Sequence, residues 1–253
     1  STATSSWSMP SPFDTGIGTN FTVSSCPKFL NKLIANETMI GCHAVSMLLE
    51  TSDAFFEMLT SAVDLTRVLQ KSCSVSVETC SEVLTDFASN LVEDSACGQD
   101  YELGNPVVKE AYRSMVAYEP VYRATCLINP STEDYCFVDA ALNTSNIADY
   151  YVYFLPLGTA LTSSNHPTCN KCLQADMTVF SEWAEVKGQP LTSVYLAAAA
   201  QVDERCGDDF ATTNITVASK ASINRSGLTS RQLDIPLLIS TLALSLGVAI
   251  LRL

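Results

Sequence analysis

Apolar residues recur every three or four positions along most of residues 26–207, which is the period of an amphipathic α-helix. Convincing alternation with a period of two, which a half-buried strand requires, is absent. The pattern predicts helices from Pro27 through Ile34, over 42–49, over 55–69 with entry through Ser52, over 80–92, over 107–116, over 172–184 and over 191–206. We therefore expect an all-α, disulfide-stapled helical bundle with irregular loops, plus a C-terminal hydrophobic helix.

A few residues mark where these helices begin and end. Asn105 is placed to cap a helix, with Pro106 at the first helical position, where a missing N–H costs nothing. Pro190 is placed to start the last helix, and Gly207 to end it. The segment from Cys73 to Cys80 alternates briefly but is short and leads into a helix, so we interpret it as a loop.

Composition divides the chain into four segments. Residues 1–11 are rich in Ser, Thr and Pro and are expected to be a flexible tail. Residues 12–211 are the cysteine-rich helical ectodomain, and 212–234 form a Ser/Thr-rich stalk. Residues 235–253 are a hydrophobic tail. Because the chain begins at Ser1 without an apolar leader, we expect that a secretory signal peptide preceded it.

The C-terminal region has the pattern of a GPI-attachment signal. An apolar run of 17 residues, 235–251, follows a polar spacer and a region of small residues. We predict Asn224 as the attachment residue. The alternatives are Ser222, Ser226 and Gly227. A retained single transmembrane helix is the competing interpretation, since 17 residues is near the short limit for a span. Both place the ectodomain at the extracellular face of the plasma membrane or in the cell wall.

Composition and charge narrow the class of partner. Hydrophobic residues make up 47% of the chain, enough for a sizeable buried core. The formal net charge is −13, with only 14 Lys and Arg residues. Because phosphate backbones repel such an acidic chain, we expect no nucleic-acid partner.

The ten cysteines predict disulfides and an oxidising compartment. They are Cys26, Cys42, Cys73, Cys80, Cys97, Cys126, Cys136, Cys169, Cys172 and Cys206. They do not form the tight ligand pairs of a zinc site, so we expect no metal and no cofactor. The spacing of the cysteines does not determine which of them pair. A local bridge between Cys126 and Cys136 is one candidate, because only a turn-rich segment separates them.

The Cys169–Cys172 pair has the C-x-x-C spacing of redox sites and opens a predicted helix, which would lower a thiol pKa. A thioredoxin-like site also needs a βαβ setting, which the sequence lacks. We therefore interpret the two as structural cysteines with separate partners.

Five N-x-S/T sequons agree with the secretory pathway. We predict N-glycosylation at Asn20, Asn36, Asn143 and Asn214. The fifth sequon is at Asn224, which cannot be both glycosylated and the GPI-attachment residue.

No catalytic constellation stands out. His43 and His166 lack a recognisable nucleophile or orienting acid, and surface or capping roles are expected for both. The acids that flank Cys206 are interpreted as a solvated helix end. They are Asp203, Glu204, Asp208 and Asp209. Seven of the nine tyrosines lie between Tyr112 and Tyr153 and could form a sugar-binding face, but packing inside the bundle is the favoured interpretation.

Three functions stay open on these patterns. The first is a non-enzymatic surface or cell-wall glycoprotein that binds glycan or protein partners. The second is an extracellular enzyme acting on wall polysaccharide, which a cleft holding two acids would favour. The third is a purely structural coat protein. We rank the binding glycoprotein first, the structural coat protein second and the enzyme third.

Several blocks of sequence resemble one known family. They include PFDTGIGTNFTVSSCPKFL from Pro12, CGQDYELGNPVVKEAY from Cys97 and PTCNKCLQADMTVF from Pro167. In this order they resemble a fungal family of secreted, GPI-anchored, cysteine-rich proteins known as "domain of unknown function 7729". The resemblance covers about residues 12–209. It implies a filamentous-fungal surface protein whose cysteines are a disulfide set, and it supplies no activity and no catalytic residue.

Overall fold

The structure is a computed structural model that describes residues 7–164 and 166–217. The all-α prediction is confirmed for these residues, which form no strand beyond one isolated bridge between Ile128 and Tyr135. The helices are α1 Ser25–Ile34, α2 Glu37–Gly41, α3 Val45–Thr51, α4 Asp53–Met58, α5 Ala62–Ser72, α6 Val77–Leu91, α7 Gly98–Glu102, α8 Pro106–Val116, α9 Tyr118–Thr125, α10 Cys136–Leu142, α11 Ala148–Tyr151, α12 Lys171–Ala184 and α13 Tyr195–Cys206. Two 3-10 helices cover Val152–Leu157 and Pro190–Ser193.

Three of the helix ends predicted from the sequence are present in the structure. Asn105 Oδ1 accepts from the Val108 N–H at 3.4 Å, and Pro106 opens α8. Ser52 Oγ accepts from the Phe55 N–H at 3.1 Å at the start of α4. Gly207 follows α13 with φ 104°, a value that favours glycine.

Two predicted helices are each divided in the structure. The expected helix over 55–69 is α4 followed by α5, because Ser61 caps a new helix by accepting from the Asp64 N–H at 3.3 Å. The expected helix over 191–206 is a 3-10 turn followed by α13, with non-helical Val194 between them. Apolar spacing continues across both breaks, so periodicity alone did not show them.

Two other boundaries were predicted wrongly. The expected helix over 42–49 begins only at Val45, because His43 has a left-handed backbone (φ 46°) that a continuous α-helix cannot include. The expected loop from Cys73 to Cys80 is a loop only to Ser76. Ser76 then caps α6 by accepting from the Thr79 N–H at 3.2 Å.

The buried side chains form two core clusters. The first contains Phe13, Leu30, Leu33, Met47, Leu84, Leu91, Val108 and Met115. The second contains Phe55, Leu65, Leu69, Phe137, Tyr153, Met177, Phe180, Leu191 and Tyr195. Helices α3 and α9 contribute to both clusters. The first cluster joins the N-terminal helices to α6 and α8, and the second joins α4, α5 and α9 to the helices from α10 to α13.

All ten cysteines are paired, which confirms the predicted disulfide set. The pairs are Cys26–Cys97, Cys42–Cys80, Cys73–Cys126, Cys136–Cys172 and Cys169–Cys206. The first two lie within the first core cluster, and the last two join α10, α12 and α13. Cys169 and Cys172 have separate partners, as predicted from their lack of a redox setting.

The candidate local bridge between Cys126 and Cys136 is wrong. The turn between them is closed by backbone hydrogen bonds instead, with Cys136 N–H donating to Leu127 O at 2.8 Å. Cys126 ends α9 and bonds to Cys73 at the end of α5. The Tyr122 hydroxyl donates to Cys73 O at 3.1 Å and supports this pairing.

The predicted tail lies outside the described residues, together with Asn224 and most of the predicted stalk. Among the residues that the structure describes, no helix is both long enough and apolar enough to cross a bilayer.

Candidate ligand pocket

A partly enclosed cavity of about 250 Å³ lies beside the second core cluster. Three carboxyl groups line it: Asp139 from α10, Asp149 from α11 and Asp176 from α12. Tyr153 and the Cys136–Cys172 disulfide form part of its wall. We call this cavity the acidic pocket.

Asp139 is held by side chains from the turn that precedes α10. Its Oδ2 accepts from Asn129 Nδ2 at 2.6 Å and from Thr132 Oγ1 at 2.7 Å. Asn129 Oδ1 in turn accepts from the Ser131 N–H, so the turn positions its own donors. This places the Asp139 carboxylate at one side of the acidic pocket.

Asp149 joins the two chain segments that border the opposite side. Its Oδ1 accepts from the Thr168 N–H at 2.6 Å and from Asn146 Nδ2 at 3.3 Å. Its Oδ2 accepts from Asn143 Nδ2 at 2.7 Å. Because both oxygens are engaged, Asp149 organises the wall and has little remaining capacity to bind another molecule.

Asp176 differs from the other two acids because it is 2% exposed and its Oδ1 has no hydrogen-bond partner among the described residues. Burial raises the pKa of this carboxyl well above its usual range, and the nearby Tyr153 hydroxyl offsets this in part. The hydroxyl therefore lies close to this carboxyl, although neither the hydroxyl nor Asp176 Oδ1 meets the geometry of a hydrogen bond. Burial therefore favours the neutral form of Asp176, which can both donate and accept a hydrogen bond.

Tyr153 is 1% exposed, and its hydroxyl also has no hydrogen-bond partner among the described residues. Burial raises its pKa well above the usual value, and the neighbouring Asp176 carboxyl adds to this effect. Its ring packs edge-on against Phe137 with centroids 4.9 Å apart. The pocket therefore presents two adjacent buried polar groups, each costly to leave without a partner.

Replacing Asp176 with Asn is expected to raise the free energy of unfolding at pH 7 by about 1–3 kcal/mol. Burial raises the folded-state pKa above the unfolded value, so the contribution of this carboxyl to stability is complete below about pH 4. That contribution declines as the pH rises towards the folded-state pKa. Because Asn cannot ionise, the difference in the free energy of unfolding between Asp176→Asn and the unchanged protein should shrink to near zero at pH 4. Urea unfolding from pH 4 to pH 8 measures it.

The control for that experiment is Asp86→Asn, because Asp86 is exposed on α6 and does not line the pocket. It is expected to change stability by less than about 0.5 kcal/mol at either pH. If Asp176→Asn were instead the less stable protein at pH 7, by a margin growing with pH, Asp176 would be a stabilised carboxylate and the assignment above would be wrong.

The histidines and acids considered in the sequence do not form a site together. His43 lines a separate apolar groove of about 100 Å³ beside Met39 and Met47, and burial lowers its pKa, with Lys71 adding to the effect. His166 is exposed, and its carbonyl accepts from Asn146 Nδ2.

Asp203 Oδ1 accepts from the Ala211 N–H at 2.7 Å, so it holds the chain after α13. The other three acids near Cys206 are exposed, as a solvated helix end should be. They are Glu204, Asp208 and Asp209.

The tyrosines mostly pack inside the protein, as the favoured interpretation predicted. Tyr118, Tyr150 and Tyr153 are each at most 9% exposed, whereas Tyr151 is 40% exposed. Tyr150 contacts Phe154 edge-on at 5.2 Å. An exposed tyrosine face for sugars is therefore not formed by the described residues.

The four predicted glycosylation sites that the structure describes lie at or near the surface. Asn20 and Asn214 are exposed, whereas Asn36 and Asn143 are half-buried. Asn36 Oδ1 caps α2 by accepting from the Met39 N–H at 3.0 Å. Asn143 lines the acidic pocket. Their glycosylation stays a prediction.

Sequence reasoning did not single out the three acids of the pocket. One signal for Asp176 was present, since it lies between Leu173 and Met177 on the apolar stripe of a correctly predicted helix. A carboxyl on an apolar helix face is expected to be buried and to have a perturbed pKa. Asp139 and Asp149 lie within two short helices, α10 and α11, that the periodicity did not predict.

A family described as "Domain of unknown function (DUF7729)" matches residues 8–215. The chain belongs to this family. The match includes every cysteine and all the residues that line the acidic pocket. No curated protein and no solved structure matches this DUF7729 chain. Its function must therefore be inferred from the pocket.

Proposed function

We propose that this DUF7729 protein is a non-enzymatic, N-glycosylated surface protein of a fungus, GPI-anchored, whose acidic pocket binds one sugar unit of an extracellular glycan. Five disulfides, the sequons and the order of spacer and apolar tail support the extracellular setting. Release of the chain from intact cells by phosphatidylinositol-specific phospholipase C tests the anchor separately. Retention with residues 235–253 still attached would contradict it.

The pair of unpartnered groups in the pocket wall is the observation on which the binding proposal rests. The Tyr153 hydroxyl and Asp176 Oδ1 are buried without partners among the described residues, and both residues line the cavity of about 250 Å³. A ligand that supplied the missing hydrogen bonds would remove the cost of leaving them unmade. Such a ligand must have its own donors and acceptors close together.

The remaining wall also fits a sugar ring. Asn170 and Thr168 add exposed polar groups at the rim, while Val152 and Leu173 add apolar surface. Ligand sites commonly combine apolar walls with a few placed polar groups. The cavity of about 250 Å³ is small by the standards of drug-sized ligands, which favours a single ring over a longer segment.

Replacing Tyr153 with Phe is expected to weaken binding of the sugar ligand roughly tenfold, because one hydrogen bond in a closed site is worth about 1.4 kcal/mol. The purified full chain in mild detergent is titrated by NMR with oligosaccharides of glucose, mannose, N-acetylglucosamine and glucosamine. Only the hydroxyl is removed, so the ring stays packed against Phe137.

The matched control is Tyr118→Phe. Tyr118 is 2% exposed, and its hydroxyl is also buried without a partner, but it does not line the pocket. Both variants should fold with similar stability, and only Tyr153→Phe should affect binding. Equal affinity in the two variants, or no binding of any oligosaccharide to the unchanged protein, would refute the proposal.

A hydrolase acting on wall polysaccharide is the second candidate. The acidic pocket holds Asp176, whose neutral form is favoured by burial, together with Asp139 and Asp149, and glycoside hydrolases use a pair of carboxyl groups in different environments. We rank it second because Asp149 is fully hydrogen-bonded within the wall. New reducing ends that form with the unchanged protein but not with Asp176→Asn would favour it over simple binding.

A further inference from the structure

We infer that the sugar bound in the acidic pocket carries a protonated amino group, which is held between the Asp139 and Asp176 carboxyl groups. The inference rests on the proposed sugar-binding function and narrows its ligand to a cationic amino sugar. Four observations lead to it.

The first observation is the charge of the wall. The acidic pocket is lined by three carboxyl groups and by no Lys, Arg or His side chain among the described residues. Lys171 is close in sequence, but its Nζ donates to Gln174 Oε1 at 3.1 Å on the outer surface. No ion pair found between the described residues involves Asp139, Asp149 or Asp176. An anionic ligand would therefore be repelled, and a cationic one attracted.

The second observation is the environment of Asp176. Asp176 is buried and its Oδ1 has no partner among the described residues, so the charged form of this carboxyl has no hydrogen bond at that oxygen to stabilise it. An ammonium group placed against it would stabilise the carboxylate and form a charge-assisted hydrogen bond. A neutral sugar offers only a hydroxyl at the same place.

The third observation is the spread of the acids. Within the described part of the chain, no three His, Cys, Asp or Glu side chains are arranged to hold one metal ion. The carboxyl groups instead border a cavity, so the cation that fits is part of a larger molecule.

The fourth observation is that Tyr153, Thr168 and Asn170 provide neutral polar groups beside the acids, which suits the hydroxyls of the same ring.

The test compares glucosamine, glucose and N-acetylglucosamine, titrated at pH 6.5 into the purified full chain by NMR or calorimetry. The three share one ring, and only glucosamine carries a positive charge. Glucosamine is expected to bind the unchanged protein at least roughly tenfold more tightly than the other two. Asp139→Asn and Asp176→Asn should each reduce the preference for glucosamine over glucose to within about twofold.

The control variant is Asp86→Asn, which removes the same charge from an exposed position on α6, outside the pocket wall. It should keep the full preference for glucosamine. A preference that falls equally in all three variants would reflect the overall negative charge of the protein and would overturn the inference.

The remaining outcomes separate the inference from the proposed function. If all three sugars bind the unchanged protein equally, and Tyr153→Phe weakens all of them, the pocket binds sugars but the amino-sugar inference is wrong. If none of the three binds, and the wider oligosaccharide panel does not bind either, both the inference and the proposed function are overturned.

Discussion

Replacing Phe137 with Ala is expected to lower the free energy of unfolding by about 3–5 kcal/mol. The Phe137 ring is fully buried and contacts three other aromatic rings. It stacks on Phe55 at 6.2 Å and meets Tyr150 and Tyr153 edge-on at 5.8 and 4.9 Å. Removing it leaves a cavity that the short helices around it cannot fill without moving, and urea unfolding at pH 7 measures the loss.

The control for Phe137 is Phe56→Ala, since Phe56 is 70% exposed on α4, next to buried Phe55. It should change stability by less than about 0.5 kcal/mol. The Phe137 variant should also bind the sugar ligand more weakly, because the same ring positions Tyr153. A loss below about 1 kcal/mol would show that Phe137 is not the centre of the second core cluster.

Replacing both Cys136 and Cys172 with Ala is expected to destabilise the protein by about 4 kcal/mol. The disulfide closes a loop of 36 residues in sequence, and its loss restores conformational freedom to the unfolded chain. It also joins α10 to α12, the helices that hold Asp139 and Asp176 on the pocket wall. Ligand affinity should therefore fall together with stability.

The matched control is the double replacement of Cys26 and Cys97 with Ala. That disulfide joins two residues that are 71 positions apart in sequence, so its removal should lower the free energy of unfolding by a similar amount, about 4 kcal/mol. It lies in the first core cluster, away from the pocket. At a temperature where both variants are folded, only the Cys136/Cys172 variant should lose affinity. Equal affinities would show that the pocket does not depend on its own disulfide.

Local chemistry made much of the helix content predictable from the sequence. Asn105 and Pro106 specify the start of α8 by capping and by a preset backbone, and Gly207 specifies the end of α13. The breaks at Ser61 and Val194 were missed because the apolar spacing continues through them. At Ser61 the break depends on whether the side-chain hydroxyl bonds to the Asp64 N–H, which periodicity does not show.

Long-range relations could not be read from the sequence. Cys126 and Cys136 are near in sequence, yet each pairs with a distant cysteine, since the helix ends point them towards α5 and α12. The acidic pocket likewise brings together three acids from separate short helices. Only Asp176 gave a local sign, by interrupting an apolar stripe.

A glycan attached to Asn143 would begin in the wall of the acidic pocket, because this side chain lines the cavity and donates to Asp149. A glycosylated asparagine keeps one N–H, so that hydrogen bond can persist while the attached sugar lies next to the opening. Copies with and without this glycan would then present different entrances to the same binding site. The enzymes that decide sequon occupancy would thereby decide in which fraction of copies the acidic pocket is open.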